Sequence, residues 1–168
     1  QPLPVYTYQK LSDNVETILS HIDARPNKRA VIHINSKAAI QEAANELVKS
    51  GRYEKSEIAV IFSDDSVRAT DTYKYLIEHN ALPVRTKILL TTEAIQSGVN
   101  IHTDNLDMVY IENTPGNPAP TALPQFFGRG RGVGYRYYLY TNEYSGKPTL
   151  APERQYKKSM KTANKIAD

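Results

Sequence analysis

Blocks of apolar residues with two different periods alternate along this chain. SDNVETILSHIDA, residues 12–24, sets Val15, Ile18, Leu19 and Ile22 at helical spacing, with Ser12 as an N-cap and Pro26 as a stop. RAVIHI at 29–34 is a β-branched run and reads as a strand, turning at Asn35 and Ser36 into KAAIQEAANELVKSG. There Ile40, Ala44, Leu47 and Val48 predict one apolar helix face, closed by Gly51. EIAVIF at 57–62 is a second strand, followed through SDDS by a helix with Ala69, Tyr73, Leu76 and Ile77 on its inner face.

The alternation continues. KILLTT at 87–92 predicts a third strand and EAIQSG a short helical piece; LDMVYIEN at 106–113 predicts a fourth strand. A proline-rich loop follows, with a short helix starting at or soon after Pro120, and YRYYLYT at 135–141 is a fifth strand. Short apolar strands separated by helices predict an α/β fold, a parallel sheet covered by helices on both faces. Ligands of such sheets bind beyond the carboxyl ends of the strands, which directs attention to the loops leaving them.

Composition narrows the picture only a little. The 168 residues suit one domain, and 40% hydrophobic with 23% charged residues describes a globular chain. A net charge of +3 permits a polyanionic partner without requiring one. There is no cysteine, which excludes disulfides and thiolate metal sites, and no apolar run approaches the ~18 residues of a membrane span. No membrane partner is expected, and the cytoplasm is the default location. The start at QPLPVYTYQK, without methionine, reads as a piece of a longer protein.

The chemistry concentrates in LPQFFGRGRGVG, residues 123–134, which holds four of the eight glycines and two arginines. It is no dinucleotide fingerprint, because Val133 and Tyr135 stand where a third glycine is needed and the cluster precedes a strand. The chain has no phosphate loop, no nucleophile elbow and no metal-ligand spacing among its four histidines, so no metal is expected within it. As an RNA-binding patch the cluster is short, although Tyr135, Tyr137, Tyr138, Tyr140 and Tyr144 invite comparison with base-stacking platforms. Alternate tyrosines of a strand also face a core.

Order decides more than any single motif. Thr91-Thr92 leaves a strand, a short helix leads to Gly98-Val99-Asn100, and further on comes Gln125-Phe-Phe-Gly128-Arg129-Gly130-Arg131. This series resembles motifs V and VI of the C-terminal RecA-like domain of superfamily 2 DEAD/DEAH-like helicases, with RAVIHINSKAAIQEAANEL similar to the motif IV region. The resemblance covers roughly residues 10–142. It implies a three-layer RecA-like domain, with residues 1–9 as a linker from a missing N-terminal RecA-like domain and 143–168 as a basic extension. It also implies ATP with Mg2+, bound mainly by that missing domain, and a single strand of DNA or RNA as partner.

By the same resemblance Arg129 is the γ-phosphate arginine, Arg131 a second catalytic candidate, and Gln125, Gly98 and Asn100 approach the nucleotide. Thr91, Thr92, Asn35 and Ser36 would contact the phosphates of the strand; the threonines equally suit a helix cap. Glycines 128, 130 and 132 would let the backbone approach the cleft. Arg131 stands one residue earlier than the second arginine of the usual motif, and Asn100 replaces a common aspartate. The alternative is a non-catalytic α/β module that binds RNA or a protein through GRGRGVGYRYYLY.

Overall fold

The computed structural model describes residues 4–8, 11–23, 29–34, 36–62, 71–92, 99–112 and 122–142. They form a three-layer α/β/α domain. Six parallel strands run in the order β1 (Val5–Tyr8), β6 (Arg136–Asn142), β5 (Asp107–Glu112), β2 (Ala30–Ile34), β4 (Ile88–Thr91), β3 (Ile58–Ile61). Helices α1 (Leu11–Asp23) and α2 (Lys37–Lys49) cover one face, while α3 (Asp71–His79) and α4 (Ala122–Phe127) cover the other.

Every residue of β2, β4 and β5 is buried, as a parallel strand between two helical layers requires. Successive side chains of a strand point to opposite faces. Ile32 and Ile34 therefore pack with Ile18, Ile22, Ile40 and Leu47 under α1 and α2. Val31, with Leu89, Met108 and Leu139 of neighbouring strands, packs with Leu76 of α3 and with Phe126 and Phe127 of α4.

Several expectations need adjustment. Residues 5–8, expected in a linker, form edge strand β1, paired in register with β6 from Val5↔Leu139 to Tyr8↔Asn142. The buried face of α2 is Ala39, Ile40, Ala43 and Leu47, with Val48 exposed; it is turned toward α1, whose close approach favours small alanines. Ile77 of α3 is likewise exposed while Leu76 is buried. Ser12 lies in the first turn of α1 rather than before it. Gly51 does close α2, at φ +75, a region that favours glycine. Ala69, the helical piece at 93–98, the proline-rich loop from 113 to 121 and the 143–168 extension lie outside the described residues.

Candidate functional site

The arginines sit on a turn built by short-range bonds. Helix α4 buries Pro124, Phe126 and Phe127 and leaves Gln125 exposed. Its last turn unwinds through Gly128 N–H to Pro124 O (2.9 Å), Arg129 N–H to Phe126 O (3.1 Å) and Gly130 N–H to Phe127 O (3.3 Å). The chain then meets residues 99–105, which lead into β5. Gly130 and Ile101 form a parallel bridge, with Ile101 N–H donating to Arg129 O (2.8 Å) and Arg131 N–H to Ile101 O (2.7 Å). One step back along that parallel register, Asn100 stands beside Arg129.

The bridge thus joins the two motifs that the sequence keeps apart. Arg129 is half-buried, with its Nε atom buried, whereas Arg131 is exposed. Asn100 is half-buried too, and its side-chain oxygen is buried with no hydrogen-bond partner among the described residues. Leaving such an acceptor unpaired costs about 1–3 kcal/mol, an expense a bound donor would remove. Gly98 lies outside the described residues.

The glycines have a more local purpose than approach to a cleft. A Cβ on Gly130 would stand 2.1 Å from Cε2 of Tyr135, and one on Gly132 would stand 2.9 Å from the carbonyl oxygen of His102. Gly134 takes φ +74 beside Asn105. The described geometry therefore uses these glycines to fold the arginine turn onto residues 101–105. Val133 N–H donates to Asp104 Oδ1 (2.8 Å) and Asn105 N–H to Val133 O (2.8 Å), completing the seam.

Strand direction separates the candidate residues into two groups. Arg129, Arg131 and Asn100 precede β6 and β5, so they lie at the amino edge of the sheet rather than beyond its carboxyl ends. Ser36 and Thr92 follow β2 and β4, which pair as His33↔Thr91, so these two share the carboxyl edge. Ser36 is the N-cap of α2, its hydroxyl oxygen accepting from Ala39 N–H at 3.2 Å. Thr91 is fully buried and donates its hydroxyl to Thr92 O (3.1 Å). Asn35 is outside the described residues.

Sequence reasoning missed two residues here, Lys37 and His33, and read a third, Tyr135, only as a stacking or core tyrosine. Lys37, exposed in the first turn of α2, places Nζ 4.8 Å from the ring centre of Phe62 at the exit of β3. A lysine directly after the candidate Ser36 was the available signal. His33 stacks on Tyr110 at 4.5 Å and meets Phe126 of α4 at 5.2 Å; burial pushes its imidazole down to about 4. Tyr135 donates its hydroxyl to Thr103 O (2.6 Å) and Ile101 O (2.9 Å), with burial the main reason its phenol is raised to about 12.

No protein-family model matches the chain, and no curated protein matches it. Solved structures do. S. cerevisiae Dbp5 bound to RNA and ADP BeF3 is similar with a TM-score of 0.61 at 15% identity, over 99% of this chain and 46% of that one. This is the fold of a helicase C-terminal RecA-like domain. The E. coli DEAD-box protein SrmB, bound to regulator of ribonuclease activity A, gives 0.56 at 14% identity over 84% of this chain and 79% of that one. The C-terminal domain of Dbp5 bound to Gle1 and IP6 gives 0.52 at 16% identity over 99% of this chain and 83% of that one. This RecA-like domain spans less than half of the longer Dbp5 chain. Among its described residues, no group of three or more His, Asp or Glu side chains could hold a metal ion, and no helix is long and apolar enough to cross a membrane.

Proposed function

We propose that this RecA-like domain is the second half of an ATP-dependent helicase or translocase acting on single-stranded nucleic acid. A partner RecA-like domain would hold the nucleotide's phosphates and its Mg2+. The observation that carries this reading is the Ile101–Gly130 bridge, which sets Asn100 beside Arg129 at one edge of the sheet. Arg129 then donates to the γ-phosphate as water attacks phosphorus and the bond to the ADP oxygen breaks. A guanidinium suits this because it keeps its charge and donates in a planar fork. The buried acceptor of Asn100 suits a ribose hydroxyl. Gln125, exposed on α4, meets the nucleotide or the partner domain, and exposed Arg131 adds positive charge.

At the carboxyl edge, Ser36 and Lys37 contact strand phosphates, which position a strand without reading its sequence. RNA is the track we favour, since one similar structure holds RNA. The competing reading, an aromatic binding module, loses its stacking faces. Tyr138 and Tyr140 are buried against Tyr6 and His21, and Tyr137 packs edge-on against Phe127 at 5.1 Å.

The test is ATP hydrolysis by the full-length protein, wild type and Arg129→Ala, with and without single-stranded RNA or DNA. Strand-stimulated turnover lost in the variant supports the motor, and the better-stimulating strand identifies the track. Turnover indifferent to Arg129 refutes the arginine assignment. No turnover refutes the motor.

A further inference from the structure

We propose that Tyr135 is a positioning residue for the arginine pair: its hydroxyl holds the Ile101–Gly130 bridge and so fixes where Arg129 presents its guanidinium. The inference rests on reading Arg129 as the γ-phosphate arginine. Three contacts carry it. The phenol proton is shared between Thr103 O (2.6 Å) and Ile101 O (2.9 Å). The Ile101 carbonyl also accepts Arg131 N–H (2.7 Å), so tyrosine and arginine turn converge on one oxygen. The Tyr135 ring meanwhile fills the side-chain space of Gly130, where a Cβ would lie 2.1 Å from Cε2.

These bonds act on the two loops rather than on the sheet. Strands β5 and β6 pair independently from Asp107↔Arg136 onward, and Arg136 N–H is already held by Leu106 O (3.1 Å). Removing the hydroxyl therefore leaves strand register, the Tyr135 ring and the two backbone bonds of the bridge in place, while residues 101–103 lose the side-chain tie that steadies them against the arginine turn. The phenol, raised to about 12, remains a donor at every pH at which the domain would work.

Two measurements test the inference. In the full-length protein, Tyr135→Phe should lower strand-stimulated kcat about tenfold with KM for ATP nearly unchanged, the pattern of a contact made in the transition state. In an Arg129→Ala background the same substitution should add nothing. Wild-type kcat in Tyr135→Phe, or an equal loss with and without Arg129, overturns the positioning role. Loss of the motor reading itself shows separately, as turnover absent or indifferent to Arg129→Ala alone.

The second measurement needs no turnover. In the 168-residue chain, solvent exchange of the Arg129 Nε–H, followed by 15N NMR, should speed up about tenfold in Tyr135→Phe while amides of β5 and β6 keep their protection. Unchanged exchange at Arg129, or faster exchange across both strands as well, overturns it.

Discussion

Protonating His33 should destabilise the domain in a pH window that no surface histidine would produce. The ring is 1% exposed, stacked on Tyr110 and touching Phe126, and burial depresses its pKa from 6.5 to about 4. In the unfolded chain it takes a proton near the ordinary value, so between those two values the unfolded state binds more protons. Stability contributed by the neutral buried ring is then present above about pH 6.5 and is lost as pH falls toward 4. The full shift corresponds to about 3 kcal/mol, most of which is lost between about pH 7.5 and pH 4.5.

The perturbation that isolates this is His33→Phe, which keeps a ring between Tyr110 and Phe126 and removes the titration. Urea unfolding followed by far-UV circular dichroism at both pH values gives four stabilities. Carboxylates contribute equally to both proteins, so the wild type should lose about 2 kcal/mol more than the variant on acidification. Parallel losses would refute the argument. So would a His33 ring that titrates near 6.5 by NMR. Because Phe126 belongs to the helix that carries the arginine turn, the same acid range should loosen α4 first.

Gly130→Ala should cost about 1–3 kcal/mol, because the new Cβ meets the Tyr135 ring; thermal unfolding checks this, with Gly51→Ala, strained only by its φ, expected near 1 kcal/mol. Ser36→Ala should lose about 1 kcal/mol with its cap, read by urea unfolding. Lys37→Ala should weaken strand binding by the full-length protein and flatten the salt dependence by about one phosphate contact, measured by fluorescence anisotropy across ionic strengths. In the same titration Thr91→Val should bind as wild type does, since its hydroxyl is bonded inside.

The strands of the two-sided sheet were legible because burial on both faces demands continuous apolar runs, and Val31, Leu89 and Val109 come from such runs. β1 escaped notice for the converse reason. Val5–Tyr8 is an edge strand of four residues whose only strand partner among the described residues is β6, far along the chain, and Val5 remains exposed. The α2 face was shifted because helical period locates an apolar stripe but does not reveal that a second helix, α1, draws Ala39 and Ala43 inward. Local pattern therefore reported burial well wherever one partner sufficed, and poorly where two competed.

The candidate site divides along the same line. Order along the chain was enough to suggest that Asn100 and Arg129 belong together, but the bond that unites them is a bridge between two loops, Ile101 and Gly130, with no periodicity to announce it. Glycine density around the arginines had a reading at each of two scales, room for a ligand or room for a neighbouring loop. The contacts made by Tyr135 and His102 favour the loop at Gly130 and Gly132. That changes what a glycine-arginine cluster implies. The arginines are held by glycine-enabled packing against residues 101–105, and their aim depends on that packing. If Arg129 is the γ-phosphate arginine we propose, a substitution at Gly130 or Tyr135 should affect ATP turnover through its geometry while leaving the guanidinium itself unaltered.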